Sequence, residues 1–296
     1  MPPPVNRPPR RHVANAVALA AMLGGCALGH PGSREAAAPS PISTYDIEVL
    51  AARPVLYLTM ANTSSGHEPD RSGHGRGGLY QPNKHPPTTA NLPNGDRAAD
   101  FTGAGQYLEV PDSPMLSIPT TGMLTIEAWI RPDTLRFSQT EGSGYVYWLG
   151  KGRPRAQEYA MRMYSDINTE QPPRPNRISG YVFNLDGGLG SGAYVQDPVT
   201  SGTWIMIDLV IDTVHTNPAA PTGTVKIYKD GTLRGSQALT QFDIHPRRGS
   251  APFEIATRNG ASYFAGAIGK VAVYDTAGTP EQIQHRFQAM TRRSGP

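Results

Sequence analysis

The sequence predicts an all-β protein with two antiparallel sheets packed face to face. From Tyr45 to Asp275, short apolar or alternating segments recur, and Gly, Pro, Asn or Asp bounds each of them. The 296 residues include 32 Gly and 29 Pro but only 17% charged residues, which suits many turns and excludes a coiled coil. No helical periodicity separates these segments, which favours antiparallel sheets over a parallel sheet crossed by helices.

The predicted strands follow one another at short intervals. Asp230-Gly231 predicts a tight hairpin after one of them, because this pair accepts the positive φ of a type I′ turn. In chain order, the strands are Val55–Met60, Ala98–Phe101, Gln106–Val110, Met123–Arg131, Tyr145–Leu149, Glu158–Tyr164, Ile178–Asp186, Gly192–Val195, Trp204–Asp212, Thr224–Lys229, Phe253–Thr257 and Phe264–Tyr274.

One helix is predicted near the C-terminal end. The run Thr279–Gln282 has a hydroxyl at the N-cap, Pro at N1 and Gln at N3, the pattern of a capping box. Ile283, Phe287 and Met290 follow at the spacing of one helix face. We expect this face to dock on the sandwich.

The N-terminal segment predicts export. Three arginines precede the apolar run Val13–Leu23, and Leu23-Gly24-Gly25-Cys26 resembles a bacterial lipobox. Cys26 is the only cysteine, so no intramolecular disulfide forms, and a lipidated cysteine supplies membrane affinity. An ordinary secretory signal or a short membrane anchor remains the alternative.

These features divide the chain into three parts. Residues 1–25 are predicted to be a lipoprotein signal peptide, and residues 26–44 a small, Pro-rich, flexible tether. Residues 45–292 form the domain. The predicted location is exported and lipid-anchored at the bacterial cell envelope. A net charge of only +3 without a matching motif argues against a nucleic-acid partner.

Several short motifs occur in a fixed order between residues 45 and 290. They are Val55–Leu58 after Pro54, Asp70–Gly75, Phe101–Gly103, Tyr107–Pro111, Leu124–Ile130, Val225–Gly231 and Phe264–Ile268. This series resembles a laminin G-like domain of the concanavalin A-like lectin/glucanase superfamily. The resemblance implies a two-sheet jelly roll. It implies no single activity, because lectins, adhesion modules and glycan-cleaving enzymes share that fold.

The chain departs from this family at acidic positions. Gln106 stands where many relatives carry Asp or Asn, and Gly269-Lys270 stands where many carry Asp-Glu. Calcium prefers oxygen ligands and usually carboxylates. We therefore expect no cofactor, with a family-type calcium site disfavoured. The eight histidines show no zinc-like spacing, so no metal site is predicted.

Glu127 and Asp208 are the best candidate acid–base pair. Glycan hydrolysis usually needs two carboxylates flanking the bond. The Glu-x-Asp-x-x-Glu motif that the resemblance associates with glucanases is absent. Alternation places Glu127 and Asp208 on the less apolar faces of their strands, where acids are ordinary. The favoured interpretation is therefore that no residue is catalytic.

The same alternation predicts a sugar-binding surface. An exposed aromatic ring stacks on a sugar while nearby polar groups bond its hydroxyls. The predicted ligand-binding residues are Trp129, Glu127, Arg131, Arg162 and Tyr164, with Trp148 as a further candidate. The alternative is that the tryptophans fill the core, which is favoured for Trp204 and open for Trp129.

The segment from Gly150 to Arg177 is rich in basic residues and proline. It holds Lys151, Arg153, Arg155 and Arg174, which would suit the rim of a site for an acidic glycan, since Arg clamps carboxylates. A solvated connection is the favoured alternative.

The sequence thus favours a non-catalytic module that binds a carbohydrate or glycoconjugate at the cell envelope. A hydrolase or lyase acting on polysaccharide, and a protein-binding adhesion module, remain the alternatives. A lyase would need a Tyr or His base beside an Arg, and no matching motif is present.

Overall fold

A computed structural model of the chain describes residues 42–82 and 85–292. The predicted signal peptide, Cys26 and most of the predicted tether lie outside the described residues. Two sheets of eight strands each form a sandwich, and every strand pair is antiparallel. The predicted all-β fold class is confirmed.

The strands are two to ten residues long, and most of the connections between them have five or more residues. In chain order they are β1 (Leu56–Leu58), β2 (His67–Glu68), β3 (Gly78–Gln81), β4 (Thr88–Asn91), β5 (Arg97–Thr102), β6 (Tyr107–Val110), β7 (Met123–Pro132), β8 (Tyr145–Arg153), β9 (Ala156–Tyr164), β10 (Ile178–Val182), β11 (Ser191–Val195), β12 (Ile205–Asp212), β13 (Thr224–Lys229), β14 (Thr232–Ala238), β15 (Phe253–Ile255) and β16 (Ala265–Tyr274).

The two sheets differ in what covers their outer faces. The first has the order β14-β13-β12-β7-β16-β5-β4, with β1 also paired to β16. Two helices pack on its outer face, so we call it the helix-covered sheet. The second has the order β11-β10-β9-β8-β15-β6-β3-β2, and we call it the open sheet.

The main core lies between the sheets. In β7 the alternate residues Leu124, Ile126, Ala128 and Ile130 are fully buried in it, as their periodicity predicts. Trp148 of β8 is also fully buried there, so the expectation of Trp148 as a glycan contact is wrong.

The helices are α1 (Thr44–Ala51) and α2 (Pro280–Thr291). The capping box predicted for α2 is present, with both reciprocal hydrogen bonds. The expectation of β structure from Tyr45 onward is wrong, because α1 forms there. Ser43 caps α1 by accepting a hydrogen bond from the Asp46 amide at 3.3 Å, and Tyr45 and Val49 then bury one face. No helix in the described ranges is long and apolar enough to cross a bilayer.

The structure also adds strands and shortens others. β2, β3, β4 and β14 are not among the predicted strands, and β4 reads TTAN, which has no apolar alternation. β10 ends at Val182 instead of Asp186, because the chain turns at residues 184–187, where the Gly187 amide donates to the Asn184 carbonyl at 3.0 Å.

Candidate binding groove

The outer face of the helix-covered sheet holds a buried charged cluster. Glu127 and Asp208 lie opposite each other in the β7–β12 register, and both are fully buried. Arg286 of α2 forms an ion pair with Glu127, and its Nη2 atom lies 4.0 Å from Asp208 Oδ1. Tyr45 of α1 donates a hydrogen bond to Glu127. The two helices therefore seal this pair from solvent.

Burial has a direct electrostatic effect on Asp208. Loss of solvation, with the neighbouring Glu127, raises the pKa of Asp208 well above its usual value. This shift favours the neutral form of Asp208, which lies beside the Glu127–Arg286 ion pair. A polysaccharide has no path to these carboxyls in this arrangement, which removes the basis for Glu127 and Asp208 as an acid–base pair.

Trp129 lies under the same helices. Its ring stacks on Phe287 of α2 with centroids 5.8 Å apart and meets Tyr45 edge-on at 6.3 Å. Only 1% of Trp129 is exposed. The expectation that Trp129 and Glu127 face a binding surface is therefore wrong: alternation turns them out of the main core, but into a second apolar layer beneath the helices.

Arg131 is at the end of this face and is engaged with acids. It bonds Asp133 at 2.9 Å and Asp100 at 3.4 Å, and its guanidinium lies 5.5 Å from the centre of the half-buried Trp204 ring. Arg162 and Tyr164 lie on the outer face of the other sheet. The five predicted binding residues are thus split between two opposite faces.

A groove of about 750 Å³ opens on the outer face of the open sheet. Its floor comes from β8 to β11, whose alternate residues point away from the core. Cross-strand pairing puts Arg162 of β9 between Tyr147 of β8 and Ser179 of β10. The outward-facing aromatic side chains are Tyr145, Tyr147, Tyr181, Phe183 and Tyr194.

Arg162 lies among these rings. Its guanidinium carbon is 4.1 Å from the Tyr145 centroid and 4.3 Å from that of Tyr181, and its Nη2 atom donates to the Tyr147 hydroxyl at 2.8 Å. Ion–ring contacts of this kind are worth about 0.5–2 kcal/mol each. In the described part of the chain, Arg162 has no carboxylate within 4.0 Å. The aromatic rings therefore hold its charge in place without neutralising it.

Two further arginines stack on groove tyrosines. Arg258 is 2% exposed and lies 4.1 Å from the Tyr147 centroid, and Arg174 lies 3.9 Å from that of Tyr194. Arg155 also lines the groove. Arg174 and Arg155 belong to the basic segment singled out in the sequence, whereas Lys151 is buried against Glu158 and Asp112.

Two glycines, Gly190 and Gly192, leave space for aromatic rings in the groove floor. A Cβ atom on Gly192 would come within 2.4 Å of the Tyr181 ring, and one on Gly190 within 2.6 Å of the Phe183 ring. The run Gly187–Gly192 reads in the sequence as a simple connector. In the structure its last two glycines let aromatic rings lie flat on the sheet.

Tyrosine hydroxyls form a chain beneath the groove. Tyr164 and Tyr181 share a hydrogen bond of 2.7 Å, and Tyr181 donates to Tyr194 at 2.9 Å. Burial raises the pKa of Tyr145 and Tyr181, so both hydroxyls stay protonated at neutral pH. Tyr164 is fully buried, so it supports the floor instead of contacting a ligand.

Acidic and apolar side chains complete the walls. Glu141 and Glu170 supply carboxylates that can accept hydrogen bonds from hydroxyl groups. Leu189 and Phe242 line the rim, and Leu189 is 70% exposed. The groove therefore offers ring faces, guanidinium donors, carboxylate acceptors and apolar contacts in a volume typical of small-ligand sites.

The family's missing acids are replaced by structural contacts. Lys270 bonds Asp46 and Asp96, and Gln106 braces a turn by accepting from Thr102 and donating to the His85 carbonyl. Within residues 42–82 and 85–292, no group of three or more His, Cys, Asp or Glu residues is arranged to hold a metal ion.

Sequence comparison identifies the fold family from more than half of the chain. A family model described as concanavalin A-like lectin/glucanases superfamily matches residues 102–284. No curated protein matches the sequence.

Similar solved structures include two botulinum neurotoxin binding domains and the binding domain of a mosquitocidal protein. The mosaic serotype C/D botulinum neurotoxin receptor-binding domain has a TM-score of 0.57 at 9% identity, with 81% of this chain and 51% of that chain covered. The botulinum neurotoxin serotype D ligand-binding domain in complex with N-acetylneuraminic acid has a TM-score of 0.56 at 10% identity, with 83% of this chain and 52% of that chain covered. The binding domain of Paraclostridial Mosquitocidal Protein 1 has a TM-score of 0.55 at 11% identity, with 81% of this chain and 53% of that chain covered. The match spans about half of each of these chains, and the likeness shows the fold alone.

Proposed function

Because the chain belongs to the concanavalin A-like lectin/glucanases superfamily, we propose that it is a non-catalytic carbohydrate-binding module whose ligand lies in the groove of the open sheet. The fold is one that receptor- and ligand-binding domains use. One similar domain is in complex with N-acetylneuraminic acid, which supports the use of sialylated as well as uronate-containing probes.

The observation that carries this proposal is the outward-facing cluster of tyrosines and arginines. In this cluster, aromatic rings and several polar donors line one concave part of the outer surface of the open sheet. Tyr145 and Tyr194 are only half-buried, so their rings are available to stack on a sugar. Glu141 and Glu170 accept from its hydroxyls.

A polysaccharide lyase is the second candidate, and the same cluster favours it. A lyase base removes a proton beside a uronate that an arginine neutralises. Tyr145 and Tyr181 lie near Arg162, as such a mechanism requires. However, their raised pKa keeps both phenols protonated, which opposes their use as bases. Binding without cleavage is therefore the better supported function.

Replacement of Tyr194 by alanine tests the site. We expect about 10-fold weaker glycan binding, because the variant loses a ring that faces the groove. The measurement is titration calorimetry with the best ligand from a glycan array. Tyr107→Ala is the matched control, since Tyr107 is also half-buried on the open sheet but lies outside the groove. Equal losses in both variants, or release of unsaturated products from the ligand, would contradict the proposal.

Display at the cell envelope is part of the same proposal. The lipobox-like Leu23–Cys26 and the preceding apolar run support it. We expect membrane association and an acylated Cys26, detected by mass spectrometry of the processed protein. Cys26→Ala should move the protein out of the membrane fraction. An unchanged membrane fraction for this variant would argue for a different anchor.

A further inference from the structure

The groove has an excess of positive charge. Its lining includes Arg155, Arg162, Arg174 and Arg258 but only two carboxylates, Glu141 and Glu170. Their ion pairs with the arginines are long: Arg258 lies 3.9 Å from Glu141, which also accepts a hydrogen bond from Ser262 at 2.7 Å, and Arg174 lies 3.7 Å from Glu170. A charge-assisted hydrogen bond spans about 2.7–2.9 Å. The arginine charges are therefore only partly neutralised by the protein.

Two guanidinium groups, those of Arg162 and Arg258, lie close to the ring of Tyr147. Arg258 lies 4.1 Å and Arg162 lies 5.1 Å from the Tyr147 centroid. Tyr147 itself is 2% exposed, and Arg258 is equally buried. Arg258 has the Glu141 carboxylate 3.9 Å away, whereas Arg162 has no carboxylate within 4.0 Å in the described part of the chain. An anion bound beside Arg162 would offset the positive charge gathered around this ring.

The arginines are also held in fixed positions. Stacking on Tyr145, Tyr147 and Tyr181 restrains Arg162, and backbone and ring contacts restrain Arg258. A planar guanidinium that is already ordered loses less entropy when it binds an anion. The groove is thus organised in advance for a negatively charged group.

We propose that the ligand is an acidic saccharide whose carboxylate is recognised by Arg162, with the buried Arg258 adding positive charge to the groove floor and the sugar ring against Tyr145 or Tyr194. This inference rests on the proposed glycan-binding function and narrows it to one ligand class. The apolar rim at Leu189 and the carboxylates Glu141 and Glu170 contact the rest of the sugar.

The test compares ligands that differ only in charge. Oligogalacturonate and its fully methyl-esterified form have the same sugar backbone, and sialyllactose and lactose form a second pair. We expect the acid of at least one pair to bind the purified protein about 10-fold to 100-fold more tightly than its neutral partner at physiological salt. The two pairs distinguish a uronate from a sialic acid as the source of the carboxylate.

Arginine variants locate the effect in the groove. Arg162→Gln should reduce the preference for the acid to below about threefold, as a charge-assisted contact is lost. Arg174→Gln, at a more exposed groove position, serves as a second variant if Arg162→Gln fails to fold. Arg97→Gln is the control. Arg97 is exposed on β5 of the helix-covered sheet, away from the groove, and its replacement changes the net charge of the protein by the same amount.

The outcomes separate this inference from the function on which it rests. Equal affinity for acid and neutral partner, with loss of both in Tyr194→Ala, would overturn the acidic-ligand inference and leave glycan binding in place. An acid preference that Arg97→Gln weakens as much as Arg162→Gln would also overturn it. Failure to bind any saccharide would overturn both.

Discussion

Replacement of Arg286 by methionine is expected to lower the free energy of unfolding by about 3–5 kcal/mol. Arg286 is the cation that compensates Glu127, and both are buried between α2 and the sheet. Methionine keeps much of the side-chain volume but leaves the Glu127 carboxylate without a counter-charge. The neighbouring carboxyl of Asp208, whose raised pKa favours the neutral form, supplies no compensating positive charge. Urea unfolding followed by circular dichroism measures the effect.

A second substitution tests whether this loss is electrostatic. In the double variant Arg286→Met/Glu127→Gln, the neutral amide still accepts the hydrogen bond of Tyr45, and we expect a substantial part of the stability to return. Arg292→Met at the exposed end of the described chain is the control and should change stability by less than about 0.5 kcal/mol. A double variant no more stable than Arg286→Met would show that packing, and not charge, dominates.

Trp129→Ala is expected to destabilise the fold by about 3–5 kcal/mol and to leave the ligand affinity of the folded protein unchanged. The indole packs between Phe287 and Tyr45, so its removal leaves a cavity that α1 and α2 cannot easily fill. The affinity should persist because the groove lies on the opposite face of the sandwich.

Two measurements on the same sample decide between these roles. Urea unfolding reports stability, and calorimetry under conditions where the variant is folded reports affinity. Trp129→Phe is the conservative comparison and should cost less, since an aromatic ring still fills most of the site. A stable Trp129→Ala protein that no longer binds glycan would restore Trp129 to a binding surface and contradict the structure.

The sequence predicted the sandwich because its signals are local. Alternation in β7 and the capping box at Thr279 depend on neighbouring residues, and both appear as expected. The same signals correctly turned Glu127 and Trp129 out of the main core. They did not reveal that α1 would cover this face, because α1 is separated from β7 by more than 70 residues of chain. Its Ser43 cap and the pair Tyr45 and Val49 were the available sign of a helix.

The groove was partly visible in the sequence. Arg162 and the basic segment around Arg174 were identified as candidates, but Tyr147 comes from the paired strand β8 and Arg258 from the connection after β15. The path of that connection is not specified by any pattern around Arg162, so the sequence did not bring Arg258 to the groove. The sequence also places Gly192 only as the first residue of a strand, and nothing local shows that its missing side chain makes room for the Tyr181 ring.

The helix layer joins the two ends of the described chain. Residues of α1 and α2 share one apolar cluster, and His285 lies 3.4 Å from Glu48. During synthesis, α1 is made first but cannot bury its apolar face against α2 until the last strand and helix have been made. Contacts between such distant segments are costly to form and slow to appear. The helix layer therefore forms late in the folding of the nascent chain. Until it forms, Trp129 and the Glu127 cluster are exposed to solvent, chaperones and proteases.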